Sequence, residues 1–188
     1  MQKGAANPWT FNQVLAAGIG VDSSKWWQPK RYWHGASLAL FLTDEAGADA
    51  VDAAQVLAAM FPDKGAWDVK VPLGEHFGFD KSDPETDPSW GYLSMSNGGG
   101  MFYDVIGNFQ YGVMMSDFGV SQDVALSASH VSSAGNPDPQ DDAVVRLGYE
   151  FRGLHPDDFN SQDMYSFLTS SQTLAVLQDA QRYVPPSS

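Results

Sequence analysis

The stretch GMFYDVIGNFQYGVMMSDFG, residues 100–119, sets the tightest limits on how this chain folds. Phe102, Val105, Ile106, Phe109 and Val113 recur at helical spacing, which predicts a helix whose apolar stripe docks into a core. Asp104, Asn108 and Tyr111 follow one another at i, i+4 and i+7, so the same helix would stack three polar groups along a second face. Asn competes for backbone hydrogen bonds and Gly adds backbone entropy, so Gly107-Asn108 and Gly112 run against helix propensity. Two readings account for them. Either the polar row carries chemistry, or the glycines permit close helix packing while Asn108 satisfies a buried backbone group.

On either side of this stretch the pattern is mainly helical. Gly35 to Leu42 predicts a short apolar helix, and Val51, Ala54, Val56, Leu57 and Met60 form the inward face of another that Phe61-Pro62 stops. KSDPETDPSWG, with two Asp-Pro pairs, predicts an exposed acidic loop. Gly91-Tyr92-Leu93-Ser94-Met95 and Met101-Phe102-Tyr103 flank Ser96-Asn97-Gly98-Gly99-Gly100, a small β-hairpin with turn-permissive glycines. Ser121 is a good N-cap for a helix through about His130, and Asp141 or Asp142 suits the N-terminus of a helix over VVRLGYEF. The segment SQDMYSFLTSSQTLAVLQDAQRYV reads as one helix or two short ones ahead of a Pro-Pro-Ser-Ser tail. The expected fold is therefore mainly α (α+β): a single helical domain over residues 1–188 that admits a lysozyme-like arrangement and carries a small hairpin. An aromatic-rich N-terminal arm (1–35) precedes the core (36–183). Trp9, Trp26, Trp27, Tyr32 and Trp33 either pack that arm over the core or offer a stacking surface.

Composition matters where it bears on partners. A net charge of −13 repels nucleic-acid backbones, whose binders neutralise phosphates with basic patches, so nucleic acid is not favoured as a partner. Zero cysteines removes any disulfide framework. No run approaches the ~18 apolar residues of a membrane span, so no membrane insertion is expected. MQKGAANPW lacks the apolar segment of a signal peptide, so export is expected to depend on a carrier or secretion machinery.

Gly107, Asn108, Phe109, Tyr111 and Gly112, preceded by Asp104 and followed by Gly119, spell G-N-F-x-Y-G, and upstream GAWDVK places Gly65, Trp67, Asp68 and Lys70 together. In this order and spacing the two motifs resemble the bacterial polymorphic toxin type 44 domain over roughly residues 50–150. Val69 stands where that family has an aromatic residue, and Met114, Met115 and Ser116 replace its usual small residues. The resemblance implies an antibacterial effector used in interbacterial competition and restrained by a cognate immunity protein. It leaves peptidoglycan cleavage and RNA cleavage both open as activities.

Candidate chemistry centres on WDVKVPLGEHFGF. Glu75 lies among Val71, Leu73, Phe77 and Phe79, and a carboxylic acid in apolar surroundings has the raised pKa that a general acid needs. Glu75 in a polar surface turn is the structural alternative. A glycan hydrolase pairs such an acid with an ionised carboxylate ~5 Å away for retention or ~6.5–9.5 Å for inversion. Asp104 or Asp68 can serve, though Asp68 also suits an N-cap or a salt bridge with Lys70. Asn108 and Tyr111 would position substrate, and Trp67, Trp90 and Tyr92 would stack on sugar rings. A metal-independent ribonuclease would instead use His76 as acid or base, Glu75 as its partner and Lys70 to stabilise phosphate charge. The four histidines show no metal-ligand spacing, and Asp138, Asp141 and Asp142 lack a calcium-loop pattern, so no metal and no cofactor is expected. The expected function is a muramidase-like glycoside hydrolase toxin acting on peptidoglycan in the target-cell periplasm. The alternatives are the ribonuclease and a non-catalytic interaction module.

Overall fold

The computed structural model describes Thr10, Phe11, Gln13 and Leu15, and residues 91–117, 119–132, 138–157 and 159–186. These residues form a mainly α structure with a small antiparallel sheet, in the order β1 (Tyr92–Ser94), β2 (Gly100–Phe102), α1 (Asp104–Asp117), α2 (Gln122–Ser132), α3 (Pro139–Leu154), α4 (Ser161–Leu168), α5 (Ser171–Asp179) and β3 (Tyr183–Val184). The expected helices upstream of residue 61 and the acidic loop over residues 81–90 lie outside the described residues. The contacts divide the chain into two compact units, with the boundary inside α1 between Gly107 and Asn108.

The first unit holds the sheet, the first turn of α1, and α4 and α5. The expected hairpin forms with shifted bounds, its first strand shorter at both ends and its second running over Gly100–Phe102: Tyr92 pairs with Phe102, Leu93 with Met101 and Ser94 with Gly100. Gly98 takes a φ of +83° at the turn, a conformation that glycine reaches without steric cost. Asn97 bonds the Gly99 amide through its side-chain oxygen and closes the loop. A third strand completes the sheet, with Met101 opposite Tyr183. Leu93, Met101 and Tyr183 are thus neighbours on one buried face, while Tyr92 and Phe102 meet edge to face on the other, their ring centres 5.2 Å apart. On the outer side of β1, Thr10 makes a parallel bridge to Ser94. The Thr10 amide donates to Gln13 Oε1 and the Gln13 amide to Thr10 Oγ1, a capping box that precedes the buried Phe11 and Leu15. Trp9, Trp26, Trp27, Tyr32 and Trp33 of the N-terminal arm lie outside the described residues.

The second unit is built from the rest of α1, α2 and α3. Helix α3 starts where its sequence directs: Asp138 caps the Gln140 amide at 2.8 Å, Pro139 fills the first helical position, and Asp141 and Asp142 lie in the first turn. Ser121 Oγ accepts from the Val124 amide at the head of α2. Phe109, Val113, Val144, Val145 and Phe151 are fully buried, and Phe109 and Phe151 meet at 5.4 Å between ring centres. Met115, Val120, Ala125 and Ala128 form a further apolar cluster lined by Tyr111 and Tyr149. No helix among the described residues is long and apolar enough to cross a membrane.

Two expectations are corrected. Phe102 belongs to β2 rather than to the helical stripe, because the chain turns at Tyr103 and α1 begins only at Asp104. The last segment forms two short helices, one of its two readings, but its end is not helical, since Tyr183-Val184 join the sheet instead.

Candidate functional site

Glu75, Asp68, His76, Lys70, Trp67 and Trp90 lie outside the described residues, so the geometry speaks to Asp104, Asn108 and Tyr111. All three are largely removed from water, and each has a partner. Asp104, 8% exposed in the first turn of α1, accepts from Arg182 Nη2 at 3.2 Å. Asn108 Nδ2 donates to Asp141 Oδ1 at the head of α3. The Tyr111 hydroxyl donates to the Ala125 carbonyl at 2.9 Å. Burial pushes the Tyr111 phenol well above its ordinary value, and does the same for Tyr149, whose hydroxyl donates to the Val120 carbonyl. Two phenols kept protonated in this way act as donors and not as bases.

The glycine motif also finds its physical reason. A methyl group built on Gly112 would meet the Val145 carbonyl and stand 3.1 Å from the Gly148 Cα. One built on Gly148 would meet the Phe109 carbonyl and stand 2.8 Å from the Val113 amide nitrogen. Helices α1 and α3 therefore cross backbone to backbone at this pair of glycines. Within G-N-F-x-Y-G, Asn108 holds Asp141, Phe109 packs on Phe151, Tyr111 holds Ala125 and Gly112 opens the crossing. The packing reading accounts for these four positions, although Asn108 meets a side chain rather than a backbone group. Beside them, Gln110 is 4% exposed and its Oε1 finds no hydrogen-bond partner among the described residues.

Asp104 differs from the other two in charge and setting. Its carboxylate faces the guanidinium of the buried Arg182, whose Cζ lies 5.0 Å from the centre of the Phe102 ring. A carboxylate beside a cation in a poorly solvated place favours its charged form, against the desolvation that opposes it. Asp104 is thus the one of the three polar groups that faces a cation.

Sequence reasoning did not single out Arg182, which sat in a segment read as helix. Nor did it pair His130 with Asp142, whose oxygens lie 2.8 and 3.1 Å from His130 Nε2. That pair ties α2 to the first turn of α3. Spacing gave no signal for it, because the two residues come from different helices. Among the described residues no group of three or more His, Cys, Asp or Glu side chains could hold a metal ion. Arg146 and Glu150, spaced for a helical pair, are both exposed on α3 and make no ion pair with each other.

Comparison with family models, with curated proteins and with solved structures returns no match.

Proposed function

We propose that this chain is an antibacterial effector domain that hydrolyses the glycan strands of peptidoglycan, delivered by secretion machinery to the target-cell periplasm and held in check by an immunity protein. In this reading Glu75 donates a proton to the departing glycosidic oxygen. Asp104 stays charged and stabilises the positive character that develops at the anomeric carbon, and water supplies the hydroxyl that replaces the leaving sugar. The observation that carries it is the Asp104–Arg182 pair, because one of the two carboxylates must remain ionised while the other is protonated. The resemblance to polymorphic toxin domains supports the effector role, and the net charge of −13 favours a neutral glycan over RNA.

Purified protein incubated with peptidoglycan sacculi is expected to release muropeptides detectable by mass spectrometry. Glu75→Gln keeps the side chain's volume but removes the transferable proton, and should cost most of the ~10²–10⁴-fold contribution of a general acid with the melting temperature nearly unchanged. Periplasmic expression should lyse cells while cytoplasmic expression is tolerated. Degradation of total RNA without any muropeptide would replace this reading with the ribonuclease, and the absence of both products and of toxicity would favour an interaction module.

A further inference from the structure

We propose that Arg182 is a positioning residue that fixes the charge and orientation of Asp104, delivered to it by a strained turn at the end of α5; this rests on the reading of Asp104 as the ionised carboxylate of the proposed hydrolase. The turn is visible bond by bond. The Arg182 amide donates to the Leu177 carbonyl at 2.7 Å and the Gln181 amide to the Gln178 carbonyl at 3.0 Å, the paired bonds of a Schellman ending. Such an ending needs a residue in the left-handed region, most often glycine. Here Gln181 occupies it with φ +56°, the only non-glycine residue at positive φ among those described. A side chain with a Cβ resists that conformation, so the surroundings must over-determine it.

The surroundings do so from the sheet. The Tyr92 hydroxyl donates to the Gln181 carbonyl at 3.1 Å, and the Phe102 amide donates to the Arg182 carbonyl at 2.8 Å. With the backbone held at two consecutive carbonyls, the Arg182 side chain has little freedom to leave. Its guanidinium sits against the Phe102 ring and reaches Asp104 Oδ2 at 3.2 Å. Tyr92 and Phe102 form a cross-strand pair of β1 and β2. The hairpin therefore supplies both anchors of the turn and the surface on which the cation rests. The cation that faces a carboxylate on α1 thus stands in the turn that leads into β3. In this arrangement Arg182 touches no reacting atom; it acts through Asp104.

A carboxyl-carbon NMR titration of the full chain tests this without any substrate, with the Asp104 signal identified by its loss in Asp104→Asn. Arg182→Gln takes the neighbouring positive charge away from a poorly solvated acid, so the Asp104 midpoint should move to higher pH than in the wild type. Arg182→Lys keeps the charge but not the planar fork, and its midpoint should fall between the two. In the sacculus assay the acid limb of the pH–rate profile should move upward in the same order while KM is kept. An unchanged midpoint in Arg182→Gln, or in Arg182→Lys if the glutamine variant does not fold, overturns the inference. A shifted midpoint with no muropeptide released by the wild type counts against the hydrolase reading alone.

Discussion

The first turn of α1 and the remainder of that helix are held by different forces, one on each side of the boundary between the two compact units. In the first unit the buried Val105 and Ile106 are joined by a buried ion pair, Asp104 with Arg182, whose strength depends on both groups being charged. In the second unit the hold is backbone contact at Gly112 and Gly148, backed by Phe109 against Phe151. Shape holds the second region at any pH that leaves the chain folded. In the first, the contribution of the ion pair lasts only while its two groups keep their protonation states.

Two glycines on α3 test the packing half of this comparison. A Cβ on Gly148 meets backbone atoms of α1, which cannot rotate aside as a side chain would, whereas a Cβ on Gly153 meets nothing within 4 Å. Gly148→Ala should therefore destabilise the fold by about 3 kcal/mol, at the upper end of the ordinary cost of overpacking. Gly153→Ala should stabilise it by a few tenths to about 1 kcal/mol through helix propensity. Urea denaturation of both variants measures the difference. If the two substitutions have similar effects, the crossing is not what holds α1 to α3.

A smaller effect belongs to Tyr111. Tyr111→Phe removes the phenol's hydrogen bond to the Ala125 carbonyl and should cost about 1 kcal/mol near neutral pH. The alkaline limb separates this loss from simple packing. Burial raises the folded-state pKa of Tyr111 above the ordinary 10.0, so the unfolded chain releases its proton first and stability falls as pH rises past that value. The phenylalanine variant lacks that contribution, so its deficit relative to wild type should shrink above pH 10.0. A deficit that stays constant or grows across the alkaline range would mean that the phenol is not desolvated as described.

The same contrast governs what could be read from the sequence. The hairpin was legible because Asn97-Gly98-Gly99 lies between two short runs with strand-forming residues, and α3 in part, because Asp141 and Asp142 suit a helix N-terminus; its earlier start at Asp138-Pro139 was not anticipated. Gly112 stood out as a glycine inside a helical pattern, and close packing was one of its two readings; its partner Gly148 could not be matched to it, since nothing local links the two. Tyr183 and Val184 were missed as a strand because two residues give no alternation to detect, and their pairing with β2 is long-range. Arg182 was missed for a related reason. Helix ends are usually announced by glycine, and the residue that ends this one is Gln181.

That unannounced ending supplies the smallest and most specific test. Gln181→Gly places at φ +56° a residue that adopts such angles without a Cβ clash, and it keeps the carbonyl that Tyr92 holds and both amide bonds of the helix ending. Relief of the left-handed strain, about 1 kcal/mol or slightly more, exceeds the added flexibility of glycine in the unfolded chain. The net expectation is a stabilisation of about 0.5 kcal/mol, read as a higher urea midpoint at an unchanged slope. The charge side of the comparison predicts something further, because the turn matters to Asp104 only through where it places Arg182. If glycine preserves that placement, the Asp104 carboxyl titrates as in the wild type while the protein gains stability. If stability rises but the Asp104 midpoint also moves upward, the Gln181 side chain restrains the turn as well as straining it, and the left-handed glutamine is part of how the ion pair is set.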